Sequence, residues 1–192
     1  MRDAAVLAYL PDPFGLGRAE FFLSEGEGQS RRIAAVEVAK TAVPLVTVEA
    51  ARLITELRSL GAAPPPNLID LGEALRLLRG KAKNDGGAKA ADPWRMLKQV
   101  SSGGPCETAT GSFHQMFVSE TEWPDETVRL AVAEQVLGVL RAAWHATVDE
   151  MDASGELQRF DEIERPVARV FYARQSAGIS VDLAKIETLI SV

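Results

Sequence analysis

The 192-residue sequence has little of what disulfide-stabilised, zinc-binding or membrane-spanning proteins depend on. Cys106 is the only cysteine, so no internal disulfide can form, which fits a reducing cytoplasm. His114 and His145 are the only histidines, and neither has a partner at zinc-ligand spacing. No run of about 18 apolar residues is present, so no membrane span is predicted. These absences predict a cytoplasmic protein with no metal, no cofactor and no membrane partner.

Positive charge is also scarce, because the chain has 21 basic and 27 acidic residues and a net charge of −6. This balance argues against nonspecific nucleic-acid binding by the whole surface. One stretch from residue 72 to 98 is nevertheless basic and could contact a phosphate backbone without sequence specificity. The alternative is a solvated loop with no ligand. The candidate contacts are Arg76, Arg79, Lys81, Lys83, Lys89, Arg95 and Lys98.

Short apolar runs bounded by Gly, Pro and polar clusters dominate the first 70 residues and predict β-strands. Strands are expected at residues 4–10, 18–24, 44–48 and 67–70. Residues 32–38 fit either a third strand or a short helix. The close spacing of the first runs favours an antiparallel start to the sheet.

Helical periodicity takes over after residue 49. Helices are predicted at 49–60, at 71–79, after the Asp92–Pro93 start signal, and at 123–152. Residues 80–92 and 101–112 are expected to be loops, and 113–119 are left undecided. Strands followed by helices predict an α/β or α+β domain with a mixed sheet flanked by helices. The apolar side of the longest helix is predicted to be Val128, Ala131, Val132, Gln135, Val136, Val139, Leu140, Ala143 and Trp144.

The last 33 residues, 160–192, have the pattern of a helix, a glycine stop and a second helix. Pro166 is expected in the first helical turn, where a missing N–H costs least. Gly178 suits the position after the helix end, and Asp182 is placed to cap a second helix at 183–190.

This segment resembles the junction of family A DNA polymerases, where the exonuclease-like domain joins the polymerase domain. The residues that carry the resemblance are Glu164, Pro166, Val167, Val170, Gly178, Ile179, Val181 and Asp182. Two other stretches add to it: Leu57, Gly61, Ile69, Asp70, Leu77 and Leu78 in one, and Asp125, Thr127 and Leu130 in the other. The resemblance implies a ribonuclease H-like 3′–5′ exonuclease domain at 1–159 and a helical junction at 160–192.

In that family four carboxylates hold two metal ions for proofreading. The resemblance places these positions near Tyr9, Pro11, Leu53 and Trp123, and none of these residues is acidic. Asp12 and Glu49 lie nearby, but they do not supply four ligands. The resemblance therefore implies a degenerate, metal-free domain without catalytic residues.

On this interpretation the chain is a structural part of a DNA polymerase that acts in replication or repair. Its partner is a polymerase domain in cis or in trans, and nonspecific contact with DNA is possible. The alternative is a helical protein–protein interaction module unrelated to nucleases, in which the long helix and the tail dock a partner.

Overall fold

The computed structural model describes residues 3–12, 14, 16–26, 30–79, 92–104, 106–118 and 123–177. Gly178, predicted to end the first tail helix, and the second helix predicted at 183–190 with its Asp182 cap lie outside these residues. The strands are β1 (Ala5–Leu10), β2 (Glu20–Ser24), β3 (Ser30–Ile33), β4 (Leu45–Thr47) and β5 (Leu68–Asp70). The helices of the first half are α1 (Ala35–Lys40), α2 (Ala50–Ser59) and α3 (Leu71–Arg79). They are followed by α4 (Pro93–Ser101), α5 (Glu107–Val118), α6 (Glu126–Ala153), α7 (Leu157–Arg159), a π-helical turn (Phe160–Glu164) and α8 (Arg165–Ala177).

The five strands form one mixed sheet in the order β3-β2-β1-β4-β5. The first three strands are an antiparallel meander, in which Leu7 is opposite Leu23 and Leu10 is opposite Glu20. After the meander, β4 pairs in parallel with β1, and β5 pairs in parallel with β4. The predicted mixed α/β class and antiparallel start are confirmed. The ambiguous stretch at 32–38 contains the end of a strand, Ile33, and most of helix α1.

Both faces of the sheet are covered. Every residue of β1 is buried, although successive side chains of a strand point to opposite faces. Helix α6 contacts β1, β2 and β3, and α2 contacts β5 and α8. Burial on both faces explains why β1 is a continuous apolar run and does not alternate.

Helix α5 corrects one prediction, because residues 107–112 were expected to be loop. Thr, Ser and Gly111 make this stretch a weak helix former by intrinsic propensity. Packing overrides that preference, since Phe113, Met116 and Phe117 are buried in the core at steps of three and four. Residues 113–118, left undecided from the pattern, belong to the same helix.

The long helix α6 was predicted nearly to its ends, and its buried face was predicted in part. Asp125 caps the helix, since its Oδ1 accepts a hydrogen bond from the Val128 N–H at 3.1 Å. Val128, Ala131 and Gln135, which were assigned to the apolar side, are exposed. The packing buries five of the predicted residues, Val136, Val139, Leu140, Ala143 and Trp144, and it also buries Ala133, Leu137, Thr147, Val148 and Met151.

The tail also differs from its prediction, because Pro166 lies inside a helical run that begins at Leu157. A proline there lacks the N–H that would bond to the carbonyl four residues earlier. That carbonyl belongs to Glu162, in the π-helical turn that directly precedes α8. The wider π-helical turn accommodates the proline without breaking the helix. Phe160 from this turn is buried in the same core as the sheet.

Within the part of the chain described here, no helix combines the length and apolar content needed to cross a membrane.

Candidate functional site

The candidate site lies at the edge of the sheet where the parallel strands β1, β4 and β5 end. Open sheets with parallel strands bind ligands beyond the carboxyl ends of those strands. Here Tyr9 is near the end of β1, Glu49 follows β4 by two residues, and Asp70 is the last residue of β5. We call this region the closed cleft, because aromatic and aliphatic side chains fill it.

Glu49 is the central residue of the closed cleft. Its φ of 51° and ψ of 54° place it in the left-handed region, and no other non-glycine residue described has a positive φ. Its carbonyl accepts hydrogen bonds from the Tyr9 hydroxyl at 2.9 Å and the Leu53 N–H at 3.1 Å. The resemblance places family carboxylates at both Tyr9 and Leu53. The Tyr9 side chain reaches this oxygen through its hydroxyl, whereas the Leu53 contact is the regular backbone hydrogen bond at the start of α2.

The other two positions lie elsewhere along this edge. Pro11 is buried, and the next N–H, that of Asp12, donates to Glu56 Oε2 of α2 at 3.2 Å. Trp123 lies beneath the guanidinium of Arg129, which is 5.6 Å from the centre of its indole ring. Arg129 in turn donates two hydrogen bonds to the buried carboxylate of Glu20, at 2.8 and 2.7 Å.

Aromatic residues of α4 and α5 close the cleft from the outside. The indole N–H of Trp94 donates to Glu49 Oε1 at 3.0 Å. The Trp94 ring lies 4.8 Å from Phe117 and 4.6 Å from His114. Phe117 meets Tyr9 edge to face at 5.1 Å. The sequence analysis missed this aromatic cluster because it assigned no structure to 113–118, although Phe113 and Phe117 are one helical turn apart.

Asp70 is the buried acid of the site, but its oxygens already have partners. Oδ2 accepts the N–H of Ala50 at 2.7 Å, and Oδ1 accepts the N–H of Gly72 at 2.7 Å. The carboxylate thereby caps the first turns of both α2 and α3. Gly72 leaves room for it, since a Cβ there would lie 3.1 Å from Oδ1. Burial raises the pKa of Asp70, against the opposing effect of these two hydrogen bonds.

The electrostatics of the closed cleft favour neutral side chains. Burial, followed by the charge of Glu49, raises the pKa of Tyr9, so its hydroxyl stays protonated. Burial raises the pKa of Glu56. Burial and the charge of Lys98 lower the pKa of His114, which favours neutral imidazole.

The donor set does not fit a two-metal centre. Hard divalent cations take oxygen ligands, chiefly carboxylates, and two-metal hydrolysis needs several of them around both ions. Among the described residues, no group of three or more His, Cys, Asp or Glu side chains is arranged to hold a metal ion. Tyr9, Leu53 and Trp123 bring a neutral phenol, an alkyl group and an indole to positions where the resemblance requires carboxylates.

The predicted nucleic-acid contacts are only partly described. Arg95 and Lys98 are exposed on α4, and Arg76 is exposed on α3, where it forms an ion pair with Glu73. Arg79 ends α3. Lys81, Lys83 and Lys89 lie outside the described residues. Nonspecific DNA binding by this stretch therefore stays a prediction.

Comparison of the chain with models of known protein families and with curated proteins found no significant match. Its function is therefore inferred from its residues and their geometry.

Proposed function

We propose that the chain is a catalytically inactive, ribonuclease H-like exonuclease domain of a family A DNA polymerase, and that it supports DNA synthesis as a scaffold. A five-stranded mixed sheet flanked by helices supports this proposal, because such a sheet is what the resemblance requires. The three stretches that carry the resemblance support it further, from Leu57 to Leu78, from Asp125 to Leu130, and from Glu164 onward.

The observation that carries the proposed inactivity is that the phenol of Tyr9 and the alkyl side chain of Leu53 occupy positions where the resemblance places carboxylates. Both side chains are fully buried. A cluster of buried carboxylates destabilises a fold when no cation neutralises it. A domain that no longer binds metal therefore gains stability from apolar residues at those positions, and it keeps its shape as a scaffold.

The proposed inactivity is tested by incubating the purified chain with 3′-labelled single-stranded DNA and Mg²⁺ or Mn²⁺. We expect no shortening of the DNA and no saturable heat of metal binding in calorimetry. The proposal would be overturned by metal-dependent digestion from the 3′ end, if this activity copurified with the chain and was lost in the Glu49→Gln variant.

The polymerase context is tested separately with a binding experiment. The probe is the polymerase domain of a family A enzyme prepared without its own exonuclease-like domain. Association with a Kd of about 10 µM or tighter is expected for a scaffold that works in trans. Absence of association with polymerase domains from several family A enzymes would remove the polymerase part of the proposal.

An exposed apolar stripe on the tail favours a second function, a helical protein–protein interaction module. Ile163, Val167, Val170 and Phe171 are all exposed on the π-helical turn and α8. Contiguous exposed apolar residues are typical of interaction surfaces. If a polymerase domain covers this stripe, Val170→Glu weakens its binding. If no polymerase domain binds the chain, an interaction module describes its function better than a polymerase scaffold does.

A further inference from the structure

A cavity of about 290 Å³ lies where the tail packs against the end of β5. It shares Asp70 with the closed cleft, and its other walls come from the start of α3, the π-helical turn and α8. Leu68, Ile69, Phe160 and Val167 form the apolar part of its lining. A concave apolar site with a few polar groups is the usual form of a small-molecule binding site, and this volume is at the small end of that range.

The polar part of the lining is predominantly acidic. It contains the carboxylates of Asp70, Glu73 and Glu164 against one guanidinium, that of Arg165. Arg165 already forms an ion pair with Asp161. The described lining side chains therefore include more acids than bases, which favours a cation inside the cavity over an anion.

Each carboxylate has a protein partner but retains capacity for another. Glu73 pairs with Arg76 and Glu164 pairs with Arg159, and these are solvent-exposed pairs of the kind that hold their partners weakly. A carboxylate has about four lone-pair sites, so one ion pair leaves acceptor positions for a ligand.

The Tyr172 phenol adds to the lining a polar group that is unpartnered within the described part of the chain. Its oxygen is buried and has no hydrogen-bond partner among the described residues. Burial raises its pKa first, and the charges of Asp70 and Glu73 raise it further.

Two aromatic side chains also line the cavity. Phe160 is buried at the base of the lining, while the ring of Phe171 is 63% exposed on the rim. Aromatic faces attract ammonium groups as well as apolar groups. A ligand with an apolar body and one positive charge matches both parts of the lining.

We propose that this cavity binds a small organic cation, a primary amine whose apolar body lies against Phe160 and Val167 and whose ammonium faces Glu73 and Asp70. This inference does not rest on the proposed function, because the cavity requires neither DNA nor a polymerase domain. A bound amine would hold α8 against β5, because residues of both elements line the cavity.

The test compares three ligands of one shape in isothermal titration calorimetry of the full chain. 2-Phenylethylamine is expected to bind with a Kd of about 1 mM or tighter. 2-Phenylethanol, which lacks the charge, is expected to bind at least about threefold more weakly, and 3-phenylpropanoate not to bind. Equal binding of the amine and the alcohol, or no saturable binding of the amine, would overturn the proposal.

Substitutions of two exposed lining residues test where the ligand binds. Glu73→Gln removes one rim charge, and we expect it to weaken amine binding by about threefold while leaving alcohol binding unchanged. Phe171→Ala is expected to weaken the binding of both the amine and the alcohol. Glu25→Gln is the matched control, because Glu25 is an exposed, ion-paired acid following β2 and is not part of the cavity lining. Amine binding that is unaffected by Glu73→Gln and Phe171→Ala would show that the ligand binds elsewhere.

Discussion

The backbone of Glu49 is under strain, and the residues around it explain why the strain persists. A non-glycine residue in the left-handed region costs about 1 kcal/mol or more. Its carbonyl accepts hydrogen bonds from Tyr9, Arg52 and Leu53, while its carboxylate accepts the indole N–H of Trp94. Strained residues of this kind are common at functional sites. At this site the strained residue joins β1, α2 and α4 through the hydrogen bonds of its carbonyl and carboxylate.

Leu53→Asp tests whether the apolar filling of the closed cleft stabilises the fold. Leu53 is fully buried, so an aspartate there has no cation to neutralise it. We expect a loss of about 4 kcal/mol in the free energy of unfolding at neutral pH, measured by urea denaturation. Leu53→Asn is the control for shape and polarity without charge. If Mg²⁺ stabilised the aspartate variant but not the asparagine variant, a metal site would persist here and the interpretation would be wrong.

Asp70→Asn tests the capping of α2 and α3. An amide cannot accept both the Ala50 and Gly72 N–H groups through two oxygens, so we expect a loss of about 1–3 kcal/mol at pH 7. Asp70 has a folded-state pKa raised above its ordinary value of 3.8, so the folded state binds its proton more tightly. Protonation of Asp70 therefore stabilises the folded state fully below pH 3.8, and this stabilisation is lost as the pH rises through the raised pKa of Asp70.

The pH dependence of this variant is therefore part of the prediction. The stability advantage of the wild type over Asp70→Asn should be larger in acid than at neutral pH. It is measured by denaturation of both proteins across that range. An advantage that grows with pH would mean that the hydrogen bonds outweigh burial and that the pKa of Asp70 is lowered.

At the scale of elements, the sheet and the long helix are connected by a partly buried charge cluster. Glu20 on β2 is 5% exposed and receives two hydrogen bonds from Arg129 of α6. Arg32 of β3 approaches the same carboxylate at 3.1 Å. Two strands and one helix are thus joined at one acid, because a buried carboxylate must be paired.

Glu20→Ala should therefore be far more damaging than loss of a neighbouring exposed acid. Removing the acid leaves the largely buried Arg129 without its partner, and we expect a loss of about 3–5 kcal/mol in thermal or urea unfolding. Glu126→Ala is the matched control, since it removes an exposed partner of Arg32 and should cost less than about 1 kcal/mol. Similar losses in the two variants would contradict the central role of Glu20.

At the scale of the whole molecule, the described residues share a continuous core that includes the beginning of the tail. Phe160 is 3% exposed and packs with Trp144 at a ring distance of 6.2 Å. Tyr172 of α8 packs against the same core. The predicted boundary between 1–159 and 160–192 stays a prediction, but the residues directly after it contribute to the stability of the residues before it.

Truncation tests this contribution. A chain that ends at Arg159 loses Phe160, and we expect it to be less stable than a chain ending at Ala177 by about 3 kcal/mol or more. Differential scanning calorimetry of the two truncated proteins gives the comparison directly. Equal melting temperatures would show that the tail is an appendage and does not contribute to the core.

Sequence alone determined the elements with strong local patterns. The apolar run of β1, the period of α2, and the Asp92–Pro93 start signal of α4 all predict structure from neighbours within a few residues. The absence of acids at Tyr9, Pro11, Leu53 and Trp123 is likewise a property of the sequence. Together with the resemblance it predicts a degenerate site, and this stays a prediction.

Only the tertiary structure decided which residues meet. Helix α5 forms because Phe113 and Phe117 pack into the core, and its local propensity does not predict it. The hydrogen bond from Tyr9 to Glu49, the double cap by Asp70, and the pair of Glu20 with Arg129 join residues 20 to 109 positions apart. Local periodicity cannot predict such contacts, because they depend on how the strands and helices are arranged in space.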